Sequence, residues 1–407
     1  MNEFKDKILN SIFKLDSWIE CNGWSGYDPY DIKSLKWIRK IIELSNNNYA
    51  LVVIREIIFE IFYSFPMISR KLTKIKPQIN NKGMALLARG YLDLYRVTQK
   101  NDFLEKSKFC IDFLIKNANK KYSGFGWGYP FDWQSTSLIP KNTPNGIVST
   151  AVGDAFWSLY EFTNEQKYLS LCKEICTFLI NLPIDYIKKD QICFSYAPSA
   201  INHIHNLNLF IAEFLIKVGQ EVNNGEWVDL GLKAVNYTVN NQLSNGSFDY
   251  NGPPEKPYNF IDNYHTGFIL RMLHNIWKLT ENQEIYMCLE KCYKHYIDNF
   301  FEDGKIPKLH PNRKYPVDIH SCAESINCLT QLKQTFPEGY KIAQNISIWT
   351  IENLQDETGY FYYGIRKSRF IRKSYVSKVA YLRWGQSWML KALSNLLVEE
   401  HESNDLE

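Results

Sequence analysis

The chain has 407 residues, of which 45% are hydrophobic and 22% charged, and its formal net charge at pH 7 is +3. This composition is typical of a globular protein with a large core, and the near balance of charge argues against nucleic acid or an anionic membrane as a partner. No apolar run reaches the roughly 20 residues that a membrane span needs. The nine cysteines are scattered through predicted helices. We therefore expect a cytoplasmic protein with reduced thiols and without a membrane span.

Helical patterns fill the chain, and two kinds of helix alternate along most of it. The spacing of apolar residues predicts N-terminal helices near residues 4–20, 33–46 and 49–63. Mostly apolar helices are predicted near 84–99, 146–162, 201–218, 263–279, 319–333 and 379–398, and helices with a charged face near 101–117, 166–181, 226–243, 283–300 and 338–354. A helix surrounded by other helices should be apolar all round, whereas an outer helix should be amphipathic. The alternation predicts an all-α fold, an (α/α)6 toroid.

We expect a single structural unit. Residues 1–65 should form N-terminal helices that pack on the toroid, and residues 66–400 should form the toroid itself. Repeat folds of this kind exceed the usual size of one domain. The chain has no long Ser/Pro linker and no Rossmann or P-loop glycine pattern, so nothing indicates a separate nucleotide-binding domain.

Short segments rich in glycine and aromatic residues separate the helices. The clearest lie at residues 23–31 and 124–133, and weaker ones follow at 193–198, 246–252, 304–310 and 359–364. Sugars stack their C–H faces on aromatic rings. We therefore predict that Tyr27, Tyr30, Trp127 and Trp133 line a sugar-binding cleft.

Polar residues gather where the apolar helices begin. Asp262, Asn263, Tyr264 and His265 occupy the first turn of one such helix. Helix capping needs one of them and does not call for an imidazole and a phenol beside it. Because inner helices of a toroid run parallel, their starts should converge on one mouth, to which the other loops and helix starts contribute Asp28, Asp132, Gln134, His205, Asp318, His320, Tyr381, Arg383 and Gln386.

Three functions remain open for this mouth. A glycosidase needs two carboxyl groups on either side of the scissile bond, and we favour this hydrolytic function. A uronate C5 epimerase or a polysaccharide lyase would instead need a His or Tyr that removes a proton. A non-catalytic toroid would bind a glycan or a partner protein. The predicted catalytic residues are Asp262, His265, Asp318, His320 and Asp132, and the predicted substrate-binding residues are Tyr27, Asp28, Tyr30, Trp127, Trp133, Gln134, His205, Asn263, Tyr264, Tyr381, Arg383 and Gln386.

We predict no cofactor and no metal. Pairs of His and Asp resemble metal ligands, but the chain lacks the H-x-x-x-H helical spacing of a zinc site. Two cysteine pairs have helical i,i+4 spacing, Cys172 with Cys176 and Cys288 with Cys292. No His or Asp pattern completes a site around either pair.

Five motifs, in this order, resemble a known family. They span residues 26–31, 126–134, 261–268, 315–321 and 382–388. The chain resembles the (α/α)6-toroid proteins of prokaryotic exopolysaccharide and capsule biosynthesis loci, described as six-hairpin glycosidase-like or prenyltransferase-like. This resemblance implies the toroid fold, a glycan substrate and contact with polysaccharide assembly machinery, and it names no catalytic residue. The segment 200–203 departs from the family pattern, since it is less polar than the corresponding loop.

Overall fold

The computed structural model describes residues 3–45, 48–134, 138–199, 201–258, 260–367 and 373–404, with Gln134, Ser403 and Asn404 described by their backbone alone. These residues form fifteen α-helices. In chain order the helices are α1 (Glu3–Asn22), α2 (Lys36–Ser45), α3 (Tyr49–Ser64), α4 (Pro66–Leu72), α5 (Asn81–Thr98), α6 (Asn101–Lys116), α7 (Gly146–Thr163), α8 (Gln166–Ile180), α9 (His205–Glu221), α10 (Gly225–Val239), α11 (Asn263–Thr280), α12 (Gln283–Phe300), α13 (Ile319–Gln331), α14 (Pro337–Leu354) and α15 (Ser387–Asn404). None of the helices in these ranges is both long enough and apolar enough to cross a membrane.

Six helices form a closed inner ring. Helices α5, α7, α9, α11, α13 and α15 each contact the next, and α15 returns to α5. Every residue of α9 from His205 to Ile216 is buried, as a helix surrounded by others requires. Helices α6, α8, α10, α12 and α14 each pack outside the inner helix that precedes them. The predicted all-α (α/α)6 toroid is confirmed.

The first helix of the chain, α1, fills the sixth outer position. It packs on α15 and α14 through a face that includes Ile8, Ile12, Leu15 and Ile19. On its other side, the ammonium of Lys106 from α6 lies 2.8 Å from Asp16 and 2.7 Å from Glu20. The sequence analysis grouped α1 with helices that pack on the toroid, whereas in the structure α1 takes part in the toroid as the outer partner of α15.

All six segments that enter inner helices lie at one rim, because the inner helices are parallel. These segments span residues 23–80, 117–145, 181–204, 240–262, 301–318 and 355–386. They carry every glycine-aromatic segment noted above. Most of them contain short antiparallel strands, which are β1 (Trp133–Gln134) with β2 (Leu138–Ile139), β3 (Ile184–Lys188) with β4 (Gln191–Phe194), β5 (Phe301–Glu302) with β6 (Ile306–Pro307), and β7 (Val317–Asp318) with β8 (Gly364–Lys367) and β9 (Ser374–Ser377).

The sheet β7–β8–β9 sets the start of α13. Asp318, the last residue of β7, pairs with Gly364 of β8 and caps α13. Gly364 has φ +153°, and a Cβ there would lie 2.1 Å from the Val317 carbonyl oxygen. Only glycine therefore permits this close approach of the two strands.

The segment 23–80 covers one side of the rim. Helices α2 and α3 share a small core around Ile32, Ile38 and Phe62. The segment is tied to the toroid by a backbone bridge between Tyr27 and Tyr381. Arg70 lies buried within the segment, 2.8 Å from the Asp31 carboxylate. This segment thereby brings Asp28 and Tyr30 against the start of α15.

If α1 is the sixth outer helix of the toroid, its buried face should stabilise the whole toroid. We expect Ile12→Ala to lower the free energy of unfolding by about 2–5 kcal/mol, since it leaves a cavity between α1 and its neighbours. The matched control is Lys14→Ala on the exposed face of the same helix, which should change stability by less than about 0.5 kcal/mol. Denaturant unfolding followed by tryptophan fluorescence measures both. Equal losses of unfolding free energy in the two variants would contradict the assignment of α1 as the sixth outer helix.

Candidate active site

One carboxylate both starts α11 and orients an imidazole. The Asp262 Oδ1 accepts a hydrogen bond from the His265 backbone N–H at 2.8 Å, and its Oδ2 lies 2.7 Å from His265 Nδ1. Asp262 is fully buried, whereas the His265 side chain remains 21% exposed. An ionised carboxylate can only accept hydrogen bonds, so the proton of the neutral imidazole sits on Nδ1. His265 Nε2 is then the basic nitrogen available to a ligand.

Aromatic rings join His265 to a second histidine. The Tyr264 ring lies between the two imidazoles, with centroids 4.4 Å from His265 and 4.8 Å from His320. Trp384 stacks on His320 at 4.3 Å, and Tyr250 meets His265 edge-on at 5.0 Å. Burial and the nearby cations, Lys82 first, lower the pKa of His320 far below its usual value. His320 is therefore a neutral imidazole, and it is only 2% exposed.

Asp318 is a carboxyl group suited to remain protonated. Its Oδ1 accepts hydrogen bonds from the His320 backbone N–H at 2.8 Å and from Trp384 Nε1 at 3.0 Å. Among the described residues no group donates to its Oδ2. Burial raises the pKa of Asp318 to about 6, and the charge of Asp262 adds to the rise. This carboxyl group can thus hold a proton close to neutral pH.

A buried ion pair supports a group of aromatic rings on the side of Trp384 away from the histidines. Arg383 forms a bidentate ion pair with Asp28, in which Nε donates to Oδ2 at 2.5 Å and Nη2 donates to Oδ1 at 2.7 Å. Its guanidinium lies 4.9 Å from the Trp384 ring and 5.8 Å from the Tyr30 ring. Tyr30 meets Trp384 at 5.3 Å and Trp133 at 6.2 Å. Ring contacts therefore continue from the half-buried Trp133 and Tyr30, through the buried Trp384, to the histidines.

Two predicted rim residues already have protein partners. The Asp132 carboxylate pairs with Arg39 and accepts a hydrogen bond from the Lys141 backbone N–H at 2.9 Å. Tyr27 is half-buried, with its ring 5.7 Å from the Arg70 guanidinium. The side chain of Gln134 lies outside the part of the chain that the structure describes.

Trp127 lies in the core and not on the cleft. It is 0% exposed, its indole N–H donates to the Leu114 carbonyl at 2.9 Å, and its ring packs against Phe156 at 5.8 Å. The ring therefore has no free face on which a sugar could stack. This position corrects the expectation that Trp127 lines the cleft; the Gly-aromatic motif does not distinguish a ring that faces solvent from one that anchors the loop.

Four other predicted binding residues lie behind the wall of the mouth. Asn263 Oδ1 accepts from Tyr296 at 3.0 Å and from Ser325 at 2.9 Å. Gln386 bonds twice to the Phe361 backbone, at 2.7 and 2.8 Å. Burial lowers the pKa of His205 to about 3, and Tyr381 is 2% exposed beside Arg70. The observed contacts of these side chains position the helix starts and loops.

The structure adds residues that the sequence analysis missed. Lys82, at the start of α5, places its ammonium 5.5 Å from the Phe268 ring and 5.2 Å from the Trp388 ring. The first apolar helix was predicted to start near residue 84, which left Lys82 outside the set of helix starts. Applying the same polar-start pattern two residues earlier would have found it. Tyr250 was noted only as part of a weaker aromatic segment.

The geometry can be compared with known proteins. No protein-family model and none of the curated proteins matches the sequence. Among solved structures, the chain is similar to a GH76 alpha-mannanase from Bacteroides thetaiotaomicron, with a TM-score of 0.64 and 11% identity over 82% of this chain and 90% of that chain. It is also similar to a cellobiose 2-epimerase from Bacillus thermoamylovorans, with a TM-score of 0.62 and 10% identity over 80% of this chain and 90% of that chain.

A third similar structure is an unsaturated glucuronyl hydrolase specific for heparin, with a TM-score of 0.59 and 13% identity over 80% of this chain and 88% of that chain. These neighbours are glycosidase-like (α/α)6 enzymes. At such low identities the likeness establishes the shared fold. It does not carry an activity from any neighbour to this chain.

The two tryptophans of the 124–133 segment should behave differently. Trp127→Ala should lower the free energy of unfolding by about 3–5 kcal/mol, because it empties a core site. Trp133→Ala should cost less stability and should weaken sugar binding, because the half-buried Trp133 lies in the group of aromatic rings beside Trp384. Denaturant unfolding and calorimetric titration with oligosaccharides measure the two effects. A stable Trp127→Ala protein with weakened binding would reverse these assignments.

Ionisation of Asp318 should lower the free energy of unfolding of the wild-type protein as pH rises. Its pKa is about 6 when folded and 3.8 for the free side chain, so folding binds a proton and wild-type stability falls as pH rises between these values. Asn keeps the oxygen that caps α13 and accepts from Trp384, but it cannot ionise. We expect Asp318→Asn to be more stable than wild type by about 2–3 kcal/mol above pH ~6, and this gain should vanish near pH ~4. Denaturant unfolding across this pH range tests the prediction, and a less stable variant at every pH would contradict it.

Proposed function

We propose that the protein is a carbohydrate-processing enzyme in which His265, oriented by Asp262, transfers a proton at a sugar bound in the mouth of the toroid. The 2.7 Å contact between Asp262 Oδ2 and His265 Nδ1 carries this proposal. A carboxylate on Nδ1 fixes the tautomer and stabilises the imidazolium that forms when Nε2 takes a proton. The partly exposed Tyr250 ring beside His265 suits the apolar face of a sugar.

Hydrolysis of a glycosidic bond is the first candidate reaction. His265 Nε2 would take a proton from a water molecule while the water oxygen bonds to the anomeric carbon. The glycosidic C–O bond would break, and the leaving oxygen would receive the proton held by Asp318. Asp318 supports this step because its raised pKa keeps it protonated below about pH 6, as a general acid requires. The predicted roles therefore change: Asp262 orients the base, and Asp318 is the acid.

Proton abstraction from a sugar carbon is the second candidate, in an epimerase or a lyase. It is favoured by the two imidazoles that flank Tyr264, with ring centroids 4.4 and 4.8 Å away. One imidazole could remove a proton from one face of the sugar while the other returns it to the opposite face. His320 is enclosed by Trp384, Trp388 and Tyr264, so this reaction needs a substrate that reaches its Nε2.

The setting that we propose follows the sequence resemblance. The glycan would belong to a prokaryotic exopolysaccharide or capsule, and the enzyme would work beside the polysaccharide assembly machinery. We also place it in the cytoplasm. All nine cysteines are free thiols, which supports a reducing compartment.

Replacing either member of the pair should abolish most turnover. We expect His265→Gln to lower kcat/KM by about 100- to 10,000-fold, the usual contribution of a general acid or base. Asp262→Asn should give a loss in the same range. Its amide can still cap α11, but it can donate to Nδ1 and move the imidazole proton to Nε2, which then cannot accept one. The control is His295→Gln on the outer helix α12, which should retain activity.

The assay itself separates the candidate functions. Oligosaccharides are incubated with the protein in D₂O and analysed by mass spectrometry. Shorter saturated products identify hydrolysis, deuterium in an uncleaved sugar identifies epimerisation, and shorter unsaturated products identify a lyase. Binding without any reaction, unchanged in His265→Gln, would show a non-catalytic toroid and overturn the proposal.

A further inference from the structure

In the part of the chain that the structure describes, one buried cation has no carboxylate partner. Among the described residues, five Lys or Arg are no more than 5% exposed, namely Arg70, Lys82, Arg271, Arg383 and Lys391. Four of them pair with carboxylates: Arg70 with Asp31, Arg271 with Glu324, Arg383 with Asp28, and Lys391 with Asp93. No described carboxylate lies within 4.0 Å of the Lys82 ammonium.

Lys82 lies at the wall that carries the histidines. Its ammonium is 5.5 Å from the centre of the Phe268 ring. The same ring lies 6.0 Å from His265 and 5.8 Å from His320. After burial, the positive charge of Lys82 is the next cause that lowers the pKa of His320.

The cations near Lys82 already have carboxylate partners: Arg89 pairs with Asp154, Arg271 with Glu324, and Lys391 with Asp93. A cavity of about 20 Å³ on its inner side is lined by the cations Arg89, Arg271 and Lys391 and by one carboxylate, Asp154. The N-termini of the inner helices also point to this rim, and each adds a partial positive charge. Phe268 and Trp388 stabilise the ammonium only in part. Burial, followed by repulsion from Arg383, lowers the pKa of Lys82 to about 7.

A buried charge without a partner is unfavourable, and an ion of opposite sign removes the cost. We propose that Lys82 binds an anionic substituent of the sugar substrate, a carboxylate of a hexuronic acid or a sulfate ester. This inference rests on the proposed sugar site and adds the class of substrate to it. Lys82 is a binding residue in this proposal and transfers no proton.

Binding of three matched sugars tests the inference by calorimetric titration. The probes are methyl glucoside, methyl glucuronide and methyl glucoside 6-sulfate, which share the ring and differ in the charged substituent. Wild type should bind at least one anionic probe at least about tenfold more tightly than the neutral one, the usual strength of a charge-assisted hydrogen bond. The two anionic probes tell which anion is preferred. Lys82→Met should remove that preference.

Two controls protect the interpretation. Lys167→Met, on the exposed outer helix α8, changes the net charge equally and should keep the preference. Lys82→Met should melt at a higher temperature than wild type, because it replaces an unpaired buried charge with an apolar side chain of similar length. If Lys82→Met loses the preference for anionic probes because the protein unfolds, Lys82 has a structural role and the inference is overturned.

The outcomes for the two proposals differ. Equal affinity of wild type for all three probes, or no binding of either anionic probe, overturns the role of Lys82. Hydrolysis or epimerisation of neutral oligosaccharides would still support the proposed function in that case. Conversely, an anion preference that disappears in Lys82→Met supports the anion site even if the protein shows no turnover.

Discussion

Closure of the inner ring is the constraint on which the rest of the structure depends. Six parallel helices must each bury nearly their whole circumference, so their polar residues lie either at their ends or in compensated pairs such as Arg271 with Glu324. Parallel packing then brings every N-terminus to one rim, where free backbone N–H groups need partners. Asp262 and Asp318 satisfy that need as caps. The same two carboxylates contact His265 and the backbone of His320, and this is why capping and candidate chemistry share residues.

The charges near the axis follow one rule with one exception. Arg271 with Glu324, Arg383 with Asp28, and Lys391 with Asp93 form pairs that keep buried charges compensated. Within the described ranges, Lys82 has no such partner and Asp318 keeps one carboxylate oxygen without a hydrogen bond. Both groups are less stable in their charged form than in water, since burial penalises the charge. Unfavourable charges of this kind cluster at functional sites. Here both lie beside rings that contact His320: Phe268 and Trp388 for Lys82, and Trp384 for Asp318.

Local spacing predicted part of the candidate site correctly. Asp262 and His265 are three residues apart at a helix start, so their side chains share a face, and the structure confirms their contact. Trp127 shows the limit of such reasoning. The local sequence around a tryptophan between glycines is the same whether the indole faces a cleft or the Leu114 carbonyl. The residues that decide its orientation are distant in sequence. Lys82 was missed because apolar periodicity marks the body of α5 and says little about where the helix begins.

The sequence by itself determined the fold class and the order of inner and outer helices. Each of these depends on periodicity and burial, which are local properties of each segment. Only the tertiary structure decided that α1 is the sixth outer helix, that Asp28 binds Arg383, and that no described carboxylate pairs with Lys82. These facts depend on contacts between segments hundreds of residues apart, such as Asp28 with Arg383. No local pattern encodes such a pairing, since a buried lysine and a surface lysine look alike until their neighbours are in place.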